Sequence, residues 1–260
     1  MSPEQEGKYI YCIIETKTER NFGPIGIGGR GDEVTTLSHR DLSMVISNSP
    51  MTKYVVSQEH LLAHERVVEE VMREFTALPV RFCTIASSVD EVRNLLDRRY
   101  REFKNLLKDM DHKVELGVKA FWKNMVPIYN EIVKENQTIE RLREKAGPRS
   151  GKKRVLLLET RVEMGKLVEE ALQRKKDEEG EMICEALRRT GVDQRRNRTV
   201  GDTMFLNAAF LVDKGREKEF DNIMEDLNEG YQERIRFMYA GPLPPYNFVN
   251  VTIYSEEWER

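Results

Sequence analysis

The stretch that most constrains the fold is Lys113–Trp122, which reads KVELGVKAFW. Every second residue is apolar, and this alternation is typical of a β-strand with one buried face. The predicted buried set is Val114, Leu116, Val118, Ala120 and Trp122. The other face, with Lys113, Glu115 and Lys119, is predicted to be solvated. Because the segments on both sides carry their own strands and helices, we predict that this strand opens the second half of the fold.

The first half of the chain predicts an α+β unit. β-Branched and aromatic residues favour strands, which are predicted at residues 9–15, 34–37, 42–46 and 80–86. Ser57 is the predicted N-cap of a first helix, and Ser88 with Glu91 forms the predicted capping box of a second helix that continues to Met110. The apolar stripe of the first helix is predicted to be Leu61, His64, Val68, Val71 and Phe75.

The second half alternates helices and strands. The elements predicted after Lys113–Trp122 are helices up to residue 187, a strand at 205–212, a helix at 217–229 and a strand at 234–240. Residues 191–199 are polar and are predicted to form a loop. If residues 198–202 add a short edge strand, the order becomes β-α-β-β-α-β. That order is the ferredoxin-like arrangement, here enlarged by additional helices.

We therefore predict an α+β protein with two domains, the second a modified ferredoxin-like unit with additional helices. A chain of 260 residues is long enough for two domains of ordinary size. The predicted limits are residues 1–110 for the N-terminal domain, 111–241 for the C-terminal domain and 242–260 for a tail. Because the tail is rich in apolar residues, we expect it to pack back across the two domains.

Charge and cysteine content argue against several classes of function. The chain has 42 basic and 45 acidic residues, so it lacks the basic excess of a nucleic-acid-binding protein. Its three cysteines, Cys12, Cys83 and Cys184, are odd in number and far apart, which favours a reduced protein of the cytoplasm. No apolar run approaches the length that spans a membrane. We expect neither a nucleic-acid nor a membrane partner.

Two motifs could indicate ligand sites, but each has a simpler interpretation. Residues 26–31 match G-x-G-x-x-G, yet Asp32 and Glu33 follow, and their carboxylates would repel a phosphate. We interpret this stretch as a flexible loop. His60 and His64 have a spacing at which two imidazoles on one helix can share a metal ion. Since no third ligand is evident, we interpret His64 as a hydrogen-bonded core residue.

The sequence provides no positive case for catalysis. No serine lies in a nucleophile elbow, no cysteine has a histidine partner in the sequence, and the carboxylates have the spacing of helix-surface pairs. We therefore expect a protein that is not an enzyme and that has no cofactor, no metal site and no catalytic residues.

Three residues are candidates for contacts with a partner. Arg81 interrupts a predicted apolar strand and needs either a partner or an exposed face. Tyr246 and Phe248 lie on the stiff, proline-rich segment 241–249. Such a segment suits either a clasp packed within its own fold or a recognition surface. We favour the clasp because aromatic tails are commonly buried in their own fold.

Four stretches of the chain together resemble the GvpL/GvpF family of gas-vesicle proteins. They are YIYCIIE at 9–15, LPVRFCTIA at 78–86, KVELGVKAFW at Lys113–Trp122 and GPLPPYNFV at 241–249. They occur in the order of the family and extend over nearly the whole chain. One departure is Cys83, where the family's V-R-F-G-T has glycine. This departure bears on the backbone geometry of the strand predicted there.

The resemblance implies an accessory protein for building gas vesicles, with two α+β domains and no catalytic or metal residues to carry over. Its implied partners are the hydrophobic major shell protein and other gas-vesicle accessory proteins, and its implied location is the gas vesicle. A free shell subunit would aggregate through its apolar face, so a partner that covers this face until assembly is the main hypothesis. The alternatives are a minor structural component of the wall and, less favoured, a small-molecule-binding protein or enzyme on a ferredoxin-like scaffold.

Overall fold

The computed structural model describes residues 6–51, 54–145 and 154–253. These residues form two β-sheets with helices packed against them, which confirms the predicted α+β class. The chain divides into two units: unit 1 consists of Met1–Glu115 and Gly241–Arg260, and unit 2 consists of Leu116–Ala240. Residues 254–260 of the predicted tail lie outside the described part of the chain.

Unit 1 is built on a sheet whose central strand is buried on both faces. The strands are β1 (Glu6–Glu15), β2 (Asn21–Gly23), β3 (Val34–His39), β4 (Leu42–Pro50), β5 (Ala77–Pro79) and β6 (Ile85–Ala86). Their order is β2-β3-β4-β1-β5, and β6 also pairs with β1. The strand β1 runs antiparallel to β4, from Glu6 opposite Pro50 to Glu15 opposite Leu42. A run of apolar residues such as YIYCII suits this central position because neither face meets water.

Three helices cover this sheet: α1 (Gln58–Met72), α2 (Val89–Arg98) and α3 (Tyr100–Met110). The predicted N-cap of α1 is confirmed, since the Ser57 hydroxyl accepts a hydrogen bond from the His60 amide at 3.2 Å. The capping box of α2 forms only in part. Ser88 accepts from the Glu91 amide at 3.2 Å, but the Glu91 carboxylate accepts from the amide of Ser87 rather than that of Ser88.

The single helix predicted up to Met110 is wrong, because the helix breaks at Arg99 into α2 and α3. The helix α2 packs against β3 and β4, whereas α3 packs against β1 and β5. Neighbouring strands in a sheet are twisted relative to one another, so one straight helix cannot follow all of them. The break lets each half bury its own apolar stripe.

The strand predicted at 80–86 is also wrong. The chain leaves β5, turns at residues 81–84 and returns as β6. Cys83 has a φ of 64°, a left-handed conformation that interrupts a strand and that favours glycine. The turn is held by the Cys83 amide, which donates to Tyr9 Oη at 2.9 Å, and by the Thr84 hydroxyl, which donates to the Arg81 carbonyl at 2.7 Å.

Unit 2 is built on a four-stranded sheet. Its strands are β7 (Lys113–Trp122), which begins in unit 1, β8 (Gly191–Arg196), β9 (Met204–Asp213) and β10 (Ile235–Leu243), which ends in unit 1; their order is β10-β7-β9-β8. Its α-helices are α4 (Met125–Glu135), α5 (Gln137–Lys145), α6 (Arg154–Arg188) and α7 (Glu217–Gly230). In chain order these elements run strand, three helices, strand, strand, helix, strand. From this order we infer a ferredoxin-like unit with two additional helices.

The edge strand lies earlier than predicted. Residues 191–199 were expected to be a loop and 198–202 an edge strand, but Gly191–Arg196 forms β8 and residues 197–203 form the loop. β8 pairs antiparallel with β9, from Gly191 opposite Val212 to Arg196 opposite Ala208. An edge strand with one free side can be polar, and charged side chains protect that side from pairing. The polar composition of Gly191–Arg196 therefore led to the prediction of a loop instead of a strand.

The alternation predicted for β7 is confirmed for its apolar face, and Lys119 is exposed as expected. The prediction for Glu115 is wrong, because this residue is only 3% exposed. Its carboxylate accepts hydrogen bonds from the backbone amide of Asn247 at 2.9 Å and from the Asn247 side-chain amide at 2.6 Å. A buried carboxylate is tolerated when donors replace the lost water.

An ion-pair network joins several elements of unit 2. Arg234, just before β10, donates to both oxygens of Glu131 on α4 at 2.8 Å and to Glu179 on α6 at 2.6 Å. The Trp122 indole donates to the same Glu179 at 2.6 Å, and Lys175 pairs with Glu131 at 2.9 Å. Hydrogen bonds from Arg234 lower the pKa of the Glu131 carboxyl to about 2. The network holds the end of β7 and the start of β10 against the helices.

Candidate partner-binding surface

The first turn of α1 exposes apolar side chains. The helix buries His64, Val67, Val68 and Val71 against the sheet. Leu61, predicted to belong to this buried stripe, is 42% exposed, and Leu62 is 55% exposed. Two adjacent residues on a helix point about 100° apart, so Leu61 and Leu62 cannot both face the same core. The buried residues of α1 thus begin at His64, and the first turn is exposed.

The residues before α1 add to this exposed surface. Val55 and Val56, which precede the N-cap, are 75% and 72% exposed. The Val55 carbonyl lies 2.9 Å from His60 Nδ1, so the chain folds back against the first turn of the helix. This contact brings the two valines next to the turn that carries the leucines.

The C-terminal segment supplies one further apolar side chain. The Tyr246 ring lies 6.3 Å, centroid to centroid, from the imidazole of His64, and the residue is 39% exposed. Leu61 precedes His64 by three residues and therefore lies on the same side of α1. We define the apolar patch as Val55, Val56, Leu61, Leu62 and Tyr246.

The apolar patch rests on a cluster of aromatic rings. Tyr9 lies 5.7 Å from Tyr54 and 5.7 Å from His64. Tyr54 lies 5.2 Å from His60, and Phe82 lies 6.0 Å from His64. Edge-to-face contacts of this kind favour one relative orientation of the rings. The surface is therefore supported by a packed layer, which limits the ordering that a bound partner must impose.

His64 is uncharged within this layer at neutral pH. Burial lowers its pKa to about 4, and the Val80 carbonyl offsets part of this effect. Its Nδ1 lies 3.0 Å from Tyr9 Oη, which also accepts a hydrogen bond from the Cys83 amide. Burial also raises the pKa of Tyr9. The buried Tyr9 and His64 side chains are therefore both uncharged at neutral pH.

Hydrogen bonds fasten the C-terminal segment to unit 1. The Glu115 carboxylate accepts a hydrogen bond from the Asn247 backbone amide, and Val251 forms a parallel β-bridge with Val80. Arg99 Nη1 donates to the Thr252 carbonyl at 2.9 Å. These contacts set the backbone on both sides of Tyr246 and thereby orient its ring against α1.

The three sequence-predicted contact residues lie in different settings. Arg81 is exposed in the turn before Phe82, whose ring touches His64. Tyr246 also meets His64, so the fold brings these two candidates toward one side of α1. Phe248 is half-buried and is not part of the apolar patch. The sequence prediction missed the two valines and Leu62; the pairs Val-Val and Leu-Leu on either side of a capping serine were the available signal.

The patch has a charged border. Glu65 and Glu69 lie on the helix turns that follow it, and burial, together with the charge of Glu69, raises the pKa of Glu65. Both acids also raise the pKa of Tyr246, although burial is the larger cause. An apolar centre with a polar border is the usual composition of a protein-binding surface.

The two other ligand motifs do not form sites. The glycine-rich loop leads into the strand β3, so it lacks the helix N-terminus that a phosphate needs, and Gly28, Gly29 and Gly31 adopt positive φ values. His60 and His64 bind different partners, Val55 and Tyr9. Within the described residues, no group of three or more His, Cys, Asp or Glu side chains could hold a metal ion. No helix in that part of the chain is long and apolar enough to cross a membrane.

Comparison with known proteins places the chain in a family. Residues 7–250 match the family described as gas vesicle synthesis protein GvpL/GvpF. The chain belongs to this family. Its members include proteins named gas vesicle protein F and gas vesicle protein L, so the chain is a gas-vesicle accessory protein.

Several relatives cover almost the whole chain. Gas vesicle protein F1 of Halobacterium salinarum is 25% identical over 97% of this chain and 97% of its own length. Gas vesicle protein F of a Streptomyces species is 28% identical over 93% of this chain and 98% of its own. The crystal structure of GvpF from an Anabaena species matches with a TM-score of 0.78 at 22% identity, covering 95% of this chain and 100% of that one. At this identity the structural likeness supports the fold.

Proposed function

We propose that the protein binds the hydrophobic major shell protein of the gas vesicle and keeps it from aggregating until it is assembled. The observation that carries this proposal is the apolar patch on unit 1, which is exposed, supported by packed rings and bordered by charge. Exposed apolar patches on folded proteins commonly mark interaction sites. Family membership supports a gas-vesicle partner, and a shell subunit with a water-repellent face would match the apolar patch.

The apolar patch suits a transient partner. An apolar contact has few directional requirements, so it can protect a shell subunit and then release it to a growing wall. The exposed arginine Arg81 and the acids Glu65 and Glu69 supply a charged border that can discriminate between partners. We infer that other gas-vesicle accessory proteins also bind this chain, and that it acts in the cytoplasm, where vesicles are built.

Co-expression with the shell protein tests the proposal. We expect the shell protein to remain in the soluble fraction with this chain and to precipitate without it. The double variant Val55→Asn, Leu62→Gln should lose this effect because it removes apolar surface from the patch. Val200→Asn, Val162→Gln is the matched control, since these unit 2 residues have similar exposure. Unchanged shell-protein solubility with and without the chain contradicts the proposal.

The alternative, a minor structural component of the wall, makes a different prediction. A wall component stays with isolated vesicles when they are washed with denaturant, whereas an assembly factor is removed. Probing washed vesicles for this chain therefore separates the two functions. The less favoured enzyme or small-molecule-binding alternative predicts instead that shell-protein solubility does not depend on the apolar patch.

A further inference from the structure

Unit 2 contains a polar cavity that plays no part in the proposed function. It lies between α6 and the loop that joins β8 to β9, and its volume is about 400 Å³. Its lining includes Gln173, Lys176 and Asp177 on the helix and Arg196, Arg198 and Thr199 on the other side. The volume is in the range of small-molecule sites, but such sites are mostly apolar. A polar lining instead suits a hydrophilic ligand.

Positive charge prevails in this cavity. Lys176, Arg196 and Arg198 line it, and Asp177 is the acidic residue in the lining. Asp177 already accepts a hydrogen bond from Gln173 at 3.0 Å, and Arg196 shares its charge with Glu181 at 2.7 Å. Arg198 is exposed at the cavity and makes no side-chain ion pair within the described residues. Its guanidinium therefore keeps its donors for a ligand.

Lys176 is the strongest indication of a ligand. The residue is only 6% exposed, and its ammonium donates to the Gly201 carbonyl at 2.7 Å. An ammonium has three donors, so two remain. No carboxylate among the described residues lies within ion-pair distance of it. Burial lowers its pKa, and the charges of Asp202 and Asp177 offset this in part. A buried charge without a counter-ion is costly, and an anion in the cavity would supply one.

We propose that this cavity binds a phosphate group, carried either by inorganic phosphate or by a nucleoside phosphate. Three cationic side chains, from α6, the end of β8 and the loop that follows it, can contact several oxygens of a tetrahedral dianion at once. Arginine forks pair with phosphate oxygens in a bidentate manner, and lysine adds a point charge. A single carboxylate offers only two oxygens to the same set of donors.

Calorimetric titration of the full chain tests this proposal with two probes, inorganic phosphate and adenosine monophosphate, at ionic strength held constant with sodium chloride. We expect saturable binding of at least one probe. Arg198→Gln should weaken binding about tenfold, the size of one charge-assisted hydrogen bond. Arg195→Gln, three residues before Arg198 and outside the cavity lining, is the matched control and should change affinity less than about twofold.

The two probes also distinguish the source of the phosphate. Equal affinity for both indicates that the phosphate group alone is recognised, and tighter binding of the nucleotide indicates that the cavity also contacts the nucleoside. Lys176→Met should abolish binding, and since this residue is buried, circular dichroism must show that the variant folds. Arg198 is on the surface, so its variant keeps the test decisive. Absence of saturable binding of either probe, or equal losses in Arg198→Gln and Arg195→Gln, overturns the proposal.

Discussion

The two units differ in how they expose apolar and charged side chains. Among the described residues of unit 1, the exposed large apolar side chains apart from Tyr246 lie between Met51 and Leu62, and Tyr246 packs beside the helix that begins there. In unit 2 they are scattered over α4, α6, β8, the following loop and β10, as Val126, Val162, Met182, Val192, Val200, Met238 and Tyr239. Unit 2 instead concentrates charge, in the Arg234 network and in the cationic cavity.

Because both units expose large apolar residues, overall apolar exposure does not identify a binding surface. Scattered apolar residues are normal on any folded protein, whereas several exposed apolar residues within one short segment favour an interaction surface. The two proposals place the apolar partner on unit 1 and an anionic ligand in unit 2. This comparison is contradicted if variants in unit 2 reduce binding of the shell protein, or if variants of the apolar patch in unit 1 leave that binding unchanged.

The largest expected effect is on the charge network of unit 2. Arg234→Met should lower the free energy of unfolding by roughly 3–4 kcal/mol, because it leaves Glu131 and Glu179 without their shared guanidinium. Urea denaturation measures this loss. Arg216→Met, which breaks an exposed i,i+3 pair with Glu219, is the control and should cost much less, because water screens an exposed ion pair. Similar losses in both variants would show that the network contributes no more than a surface pair.

The pH dependence of the free energy of unfolding tests whether His64 of unit 1 is neutral in the folded protein. The unfolded chain protonates His64 near its usual pKa of 6.5, whereas the folded chain does so only near 4. The unfolded state thus binds more protons between these values, and the free energy of unfolding should fall by about 3 kcal/mol as pH drops from 6.5 to 4. In His64→Gln this contribution should vanish. The test compares the slopes of the two proteins, since carboxylates titrate equally in both; identical slopes contradict a neutral His64.

The attachment of the C-terminal segment can be weakened without altering the apolar patch directly. Asn247→Ala removes the side-chain donor to the buried Glu115 carboxylate and should cost about 2 kcal/mol. Hydrogen exchange at residues 246–252 should accelerate, while exchange in α7 stays unchanged. If Tyr246 contributes to shell-protein binding, this variant also reduces the solubility of the co-expressed shell protein. Unchanged exchange in the segment is the result that contradicts the attachment.

The smallest expected effect concerns the turn at Cys83. Its φ of 64° is strained for a residue with a side chain, and glycine relieves about 1 kcal/mol of strain. The Cys83 Sγ accepts the Tyr54 amide at 3.3 Å, and loss of this weak bond offsets part of the gain. Cys83→Gly should therefore raise the free energy of unfolding by about 0.5 kcal/mol, whereas Cys83→Ala should lower it. Chemical denaturation of both variants shows whether backbone strain at residue 83 or the hydrogen bond to the Cys83 thiol has the larger effect on the free energy of unfolding.

Much of the local structure could be predicted from sequence because its causes lie within a few residues. The alternation of β7 depends on side-chain periodicity, and the serine cap of α1 depends on one hydroxyl. The α+β class follows from the order of such elements. β8 was not predicted because an edge strand needs no apolar face. The turn at residues 81–84 was not predicted because its β-branched and aromatic neighbours favour a strand.

The candidate sites depended on contacts between distant parts of the chain. Glu115 was predicted to be solvated because its strand alternates, but Asn247, far along the chain, buries it. Leu61 was predicted to be core because it continues an apolar stripe, but its side chain is 42% exposed. The burial of Lys176 could not be predicted because it lies in a highly charged helix. It is the loop before β9, through the Gly201 carbonyl, that contacts its ammonium. Burial depends on what packs above a residue, which local patterns do not encode.

By itself, the sequence determined the class of the fold, the period of its main strands and, through four stretches in a fixed order, the family. These properties arise from local propensity and from motifs that can be read without coordinates. The tertiary structure alone decided which apolar residues form a surface, which acids are buried and which cations surround a cavity. The physical reason is that exposure and electrostatic environment are properties of neighbours in space, and most of these neighbours come from other elements of the chain.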